Sequence, residues 1–182
     1  FSQQIMIHAP KKLYEDRLAE QLVDLLVRYG FDPNDSVNDQ GDCLLGLACS
    51  SLYGRGDGRN SVIDMVVEEA IRQGADVDRK NNMGQTPLML ACAGDFRTME
   101  EVETALLEAG ADVTLRDAEG NTALHYAACQ ESPRAAEVMA ELLFYFGEPD
   151  ANAANLDGKT AMDYAVERDH TALVKLLLPF ME

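Results

Sequence analysis

Apolar and polar positions in this chain fall into two alternating phrases. The first opens on glycine and runs into a short stretch of large and small apolar residues. It reads Gly41-Asp42-Cys43-Leu44-Leu45-Gly46-Leu47-Ala48-Cys49, then Gly84-Gln85-Thr86-Pro87-Leu88-Met89-Leu90-Ala91-Cys92, then Gly120-Asn121-Thr122-Ala123-Leu124-His125-Tyr126-Ala127-Ala128, and last Gly158-Lys159-Thr160-Ala161-Met162-Asp163-Tyr164-Ala165-Val166. The second is a longer apolar stripe with helical period: Val102, Leu106 and Leu107; Val138, Met139, Leu142 and Leu143; Leu173, Val174, Leu176 and Leu177. It stops at Gly30, Gly74, Gly110 or Gly147, followed by Gly-Ala-Asp-Val or a weaker relative of it. The pattern predicts helix pairs. A tight glycine turn comes first, and a threonine (Thr86, Thr122, Thr160) then caps the inner helix. Pro87 takes the first helical position, where its missing N–H costs nothing. The terminal glycines are expected in the left-handed conformation after the outer helix.

Self-similarity at a period of tens of residues implies a stacked array in which each unit touches only its neighbours. The phrases G-x-T-P-L-x-x-A and L-L-x-x-G-A-D-V resemble the ankyrin repeat over roughly residues 13–178. The resemblance implies an all-α solenoid of helix-turn-helix units joined by β-turns, with residues 1–182 forming a single domain. An N-terminal half repeat would occupy 13–37, with its helix over 13–29. Full repeats would cover 38–80, 81–116 and 117–154, and a C-terminal capping repeat 155–182. The turn glycines Gly41, Gly84, Gly120 and Gly158 stand 43, 36 and 38 residues apart, against about 33 in the family. The excess falls between the paired helices. The largest insertion, 51–61, is Gly-rich and cationic, and its Tyr53, Arg55, Asp57 and Arg59 form a possible second binding surface. Arg55-Gly56-Asp57 also spells an adhesion tripeptide, which chance supplies readily in such a loop.

Charge narrows the partners. Fifteen Lys and Arg face 32 Asp and Glu in 182 residues, a net −17. Nucleic acid and anionic membrane attract cations, so neither is expected, whereas a basic protein would be steered in. Cys43, Cys49, Cys92 and Cys129 read as small buried hydrophobes rather than a disulfide framework. Unpaired cysteines and the lack of a visible signal peptide lean towards the cytoplasm, although a chain beginning at Phe1 leaves an upstream segment open.

Chemistry finds little support. His125 and Cys129 stand four apart, as a base and a nucleophile on one helix face would. Nothing supplies an orienting third group or an oxyanion hole, and the resemblance implies a structural role for His125. Asp117, Glu119 and Asn121 alternate like a calcium loop, but position twelve is Ala128 rather than glutamate. Phe144 and Phe146 read as helix core. No enzyme activity, cofactor or metal is expected.

The resemblance implies a concave binding face made of turn tips and the exposed side of the inner helices. Its candidates are Asp39, Gln40, Asp42, Asn82, Met83, Gln85, Glu119, Asn121, Gln130, Asp157 and Lys159. The expected function is non-enzymatic binding of a protein partner by a monomer through this acidic face. The alternatives are an immunity-type inhibitor masking a basic toxin or enzyme, and an enzyme subunit.

Overall fold

The computed structural model describes residues 30, 32–50, 61–94 and 96–181. The expected half-repeat helix over 13–29 and the insertion residues 51–60 lie outside this set. Among the described residues are eight α-helices, one 3₁₀ turn (Leu178–Phe180) and no strand. The helices are α1 (Leu44–Cys49), α2 (Ser61–Arg72), α3 (Pro87–Ala93), α4 (Phe96–Glu108), α5 (Ala123–Ala128), α6 (Pro133–Phe146), α7 (Ala161–Glu167) and α8 (Thr171–Leu177). Odd-numbered helices are the short inner ones. α1, α3, α5 and α7 pack in succession, α2, α4, α6 and α8 form the parallel outer row, and each pair also packs within itself.

Inner helices of six or seven residues are far too short to persist alone. Their ends are therefore closely specified. Thr86 Oγ1 accepts from Met89 N–H at 3.3 Å, and Pro87 follows it at the first helical position. Thr160 and Asp163 cap each other: Thr160 Oγ1 accepts from Asp163 N–H, and Asp163 Oδ2 accepts from Thr160 N–H at 2.7 Å. Between the layers lie Leu45, Leu88, Leu106, Leu124, Met139, Leu143, Leu173 and Leu177, all fully buried. Each such leucine contributes about 1.5–3 kcal/mol by leaving water. Small residues (Ala91, Ala127, Ala128, Ala165) fill the closest approaches.

Three thiols, Cys43, Cys49 and Cys92, are buried free cysteines; Cys129 is only half-buried, because its position faces out of the inner row. Burial raises the pKa of Cys49 and Cys92, and the buried Glu103 carboxylate beside them adds to the effect. They behave as inert packing groups.

Gly74 and Gly110 end their helices at φ +89° and +91°. Ala75 N–H closes on Ala70 C=O and Ala111 N–H on Leu106 C=O, the bonding that a left-handed glycine permits. Gly147 departs from the expectation. It is extended, at φ −148° and ψ −173°. Its need for glycine is steric: a Cβ there would lie 2.6 Å from Val113 Cγ2. Phe146 also departs, being an exposed residue set edge-on to Tyr145 at 4.9 Å. Phe144 is half-buried and stacks on Phe180 at 4.6 Å.

His125 ties two units together. Its Nδ1 accepts from Thr122 N–H at 3.1 Å, which leaves the proton on Nε2 to be donated to the Lys159 carbonyl at 3.2 Å. Burial lowers its pKa below 6.5 and the Arg116 charge adds to this, against the opposing pull of the Lys159 carbonyl.

Two predictions follow from this packing. Gly147→Ala should destabilise the chain by about 1–3 kcal/mol through overpacking. Val113→Ala, made in the same chain, should recover part of that loss as a positive coupling in a urea double-mutant cycle. For His125, the unfolded imidazole takes a proton near pH 6.5 and the folded one only lower. Its contribution to stability is therefore complete above pH 6.5 and declines as pH falls below it. The urea midpoint of His125→Gln, though lower at pH 7.5, should converge on the parent value as pH approaches 5.

Candidate functional site

Four turns carry the inner helices: Asn38-Asp39-Gln40-Gly41, Asn81-Asn82-Met83-Gly84, Asp117-Ala118-Glu119-Gly120 and Asn155-Leu156-Asp157-Gly158. The glycines adopt φ between +74° and +81°. In each turn the first side chain folds inward and accepts from the backbone N–H four residues on: Asn38 from Asp42, Asn81 from Gln85, Asp117 from Asn121 and Asn155 from Lys159, at 2.8–3.0 Å. Successive turns then join through the backbone. Asn82 N–H donates to Gln40 C=O, Ala118 to Met83 and Leu156 to Glu119, at 2.8–2.9 Å.

A second chain of bonds runs beneath the tips and passes through side chains. Asn81 Nδ2 donates to Asp42 Oδ1 at 2.9 Å and to Gln85 Oε1 at 3.1 Å. Gln85 Nε2 donates to Tyr126 Oη at 2.8 Å, and that hydroxyl donates to Asp117 Oδ2 at 2.7 Å. Asn121 Nδ2 donates to the same Asp117 oxygen at 3.2 Å, and Asn155 Nδ2 links Asn121 Oδ1 to Tyr164 Oη. The path crosses all four turns without a break.

This path sorts the sequence-predicted residues. Asp42, expected on the binding face, is 5% exposed and accepts from both Asn81 and Asn38. Gln85 and Asn121 are half-buried members of the path. Gln130 is also half-buried, and its amide donates to the Cys92 carbonyl of the preceding inner helix. These four serve the stack. Asp39, Gln40, Asn82, Met83, Glu119 and Asp157 lie exposed at the tips. Lys159 is spoken for: its ammonium holds both Glu167 carboxylate oxygens at 2.7 and 2.9 Å and lies 5.1 Å from the Tyr164 ring centre. Tyr53, Arg55, Asp57 and Arg59 fall outside the described residues.

The tip row thus presents three carboxylates, Asp39, Glu119 and Asp157, of which Asp157 has the Lys159 charge nearby. Two apolar side chains interrupt them: Met83 is 53% exposed and Leu156 80%. Leu156 stands at the tip position that its place in the repeat implies, a large aliphatic residue between Asn155 and Asp157 in a solvated turn.

Neither catalytic nor metal-binding readings gain ground. Both nitrogens of His125 are engaged elsewhere, so it cannot serve Cys129 as a base. The Cys129 pKa is raised by burial, only partly offset by the Arg168 guanidinium beside it. Asp117 spends its oxygens on Glu119 N–H, Asn121 and Tyr126, which are the bonds of the turn itself. No cluster of three or more potential metal ligands occurs among the described residues.

The family model described as ankyrin repeats (3 copies) matches residues 14–117, 61–151 and 93–181. The chain is similar to NF-kappa-B inhibitor alpha of Sus scrofa, at 32% identity over 184 residues, covering 90% of this chain and 53% of that protein. The same protein of Gallus gallus is 40% identical over 76 residues, covering 42% of this chain and 23% of the relative. B-cell lymphoma 3 protein of Homo sapiens is 36% identical over 105 residues, covering 58% and 22%. The chain spans between about a fifth and about half of these relatives' length.

Removing the Tyr126 hydroxyl tests the path beneath the tips. Tyr126→Phe leaves Gln85 and Asp117 without their shared partner and should cost about 2 kcal/mol. Tyr164→Phe removes one 3.1 Å bond and should cost about half as much. Equal urea midpoints for the two variants would contradict a continuous path.

Proposed function

The chain belongs to the ankyrin-repeat family of protein-interaction modules, and we propose that it binds a cationic protein partner along its row of turn tips. The observation that carries this reading is the division of labour at the turns. Most polar side chains that the stack needs turn inward, and the tips are left with the carboxylates of Asp39, Glu119 and Asp157, the amides of Gln40 and Asn82, and the apolar Met83 and Leu156. A net charge of −17 adds long-range attraction for a basic partner and repels nucleic acid and anionic membrane. No helix among the described residues is long and apolar enough to cross a membrane. The same self-repulsion favours a monomer.

An inhibitory outcome is the sharper form of this reading. It draws on the likeness, over 90% of this chain, to a protein named as an inhibitor of NF-kappa-B. A rigid row of tips laid over a basic surface of the partner would cover whatever that surface does.

Asp39→Lys/Glu119→Lys, at two exposed tips, should leave the urea midpoint within about 0.5 kcal/mol of the parent. Partners captured on the parent chain should be retained at least tenfold less by the double variant, and parent binding should weaken from 50 to 300 mM salt. A partner identified by mass spectrometry, purified, and bound equally by both forms would overturn the tip-row reading. Assaying that partner with and without the chain decides whether binding inhibits it.

A further inference from the structure

Two aromatic side chains stand where the preceding outer helices carry polar or small ones. Counted back from the glycine that ends each outer helix, Tyr145 and Phe146 of α6 take the places of Glu108 and Ala109 on α4 and of Arg72 and Gln73 on α2. Tyr145 is 81% exposed, and Phe146 lies edge-on against it. This exposure belongs to the position and not to a missing neighbour. α6 packs between α4 and α8, and Glu108 and Ala109, which also have a unit on either side, are exposed as well. Stacking a further unit onto either end of the array would leave these rings open. They adjoin an acidic groove. Between α2 and α4 lies an open cavity of about 390 Å³, lined by Glu68, Glu101, Thr104, Ala105 and Glu108. On α6 itself Glu141, one turn before Tyr145, and Glu148, just after the helix, are exposed too. Neighbouring cations are placed elsewhere. Arg72 is paired with Glu69, Arg134 is held by Glu137 at 2.9 Å, and Lys175 sits on α8, on the far side of α6 from the groove.

We propose that this outer surface, the groove between α2 and α4 with Tyr145 and Phe146 beside it, docks a basic amphipathic helix of a partner protein. Shape and charge both select that occupant. A groove between two parallel helices accepts a third by the ridge-into-groove packing that already joins the outer row. Carboxylates line both of its walls, Glu68 from α2 and Glu101 and Glu108 from α4, and call for Lys or Arg. Tyr145 supplies an apolar anchor with few torsions to freeze and a ring face that attracts a cation. A second copy of this chain is disfavoured, since two −17 chains would bring like charges together. The surface is built on the outer helices, away from Asp39 and Glu119 at the turns, so the proposal stands or falls apart from that of the tip row.

The test places the photocrosslinker p-benzoylphenylalanine at Tyr145 of the full chain, and at Met83 for comparison, and irradiates each in lysate of the source cells. Mass spectrometry of the Tyr145 adduct should return a partner segment with apolar residues at helical spacing and Lys or Arg on the adjoining face. That partner, purified and fluorescein-labelled, should bind the parent chain saturably in an anisotropy titration. Tyr145→Ser and Glu101→Lys/Glu108→Lys, all at exposed positions, should each weaken binding at least tenfold with an unchanged urea midpoint. Asp39→Lys/Glu119→Lys should change it less than threefold. An adduct with a second copy of this chain, a cross-linked segment without basic residues, or binding indifferent to Tyr145→Ser overturns the proposal. A protein adduct at Met83 with none at Tyr145 overturns it too and leaves the tip-row reading standing, as does the absence of any adduct at Tyr145 with a tip-row partner found by capture. No adduct and no captured partner overturns both.

Discussion

The hydrogen bonds from turn to turn are the constraint on which the rest of this molecule depends. Its inner helices are six or seven residues long and have no stability of their own. They exist because each turn fixes the next. A backbone N–H at the second tip position reaches the carbonyl at the third position of the preceding turn. Beneath these bonds an unbroken path of amide, phenol and carboxylate groups runs from Asp42 to Tyr164. Buried polar groups left without partners are costly, so such a path stabilises only when complete. That couples the units: a turn that shifts leaves the polar groups of two neighbours unpaired. The outer edge is tied in the same way. Asp112 N–H reaches Asp78 Oδ1 at 3.0 Å and Asp76 N–H reaches Asn34 Oδ1 at 2.7 Å. Some of the chain's acidity is thus structural.

The helix pairs were legible because their signals are local. Threonine caps, Pro87 and glycines at helix ends each act within one turn of chain, and the apolar stripes name the buried residues from Val102 to Leu177. Gly147 was misread because a glycine after a helix suggests a left-handed end, whereas the reason for this one is Val113, 34 residues earlier. Phe146 was misread because an aromatic residue on an apolar stripe looks buried wherever the next unit is assumed to cover it. Site residues were harder still. Asp39 and Asp42 are both acidic, three apart and in the same turn, yet one is a tip and the other is a strut. What separates them is Asn81, 39 residues away, whose amide claims Asp42. No local pattern carries that information.

The same sorting separates side chains that the stack needs from side chains that it does not. Asp39, Met83, Leu156 and Asp157 join the stack through their backbones, so their side chains are free to vary. Tyr126, Asn81 and Asn155 have the opposite character: they are half-buried or buried, and each holds two units. A surface organised in this way can change its partner without changing its fold.

The remaining question is why the tips can afford to be acidic at all. Like charges destabilise a compact state when they are close and unscreened. Neighbouring helices stand about 8–10 Å apart, so carboxylates on successive tips are separated by roughly one Debye length at physiological salt, about 8 Å. Asp39 and Glu119 lie two units apart, which places them well beyond it. Met83, at the uncharged second turn, widens the gap where four charges in a row would otherwise stand. Repulsion within the row is therefore weak in the free chain. A cationic segment laid along it would still meet every carboxylate at contact distance, well inside one Debye length. The spacing that makes the row cheap to maintain is the same spacing that would leave the proposed attraction for a cationic partner intact.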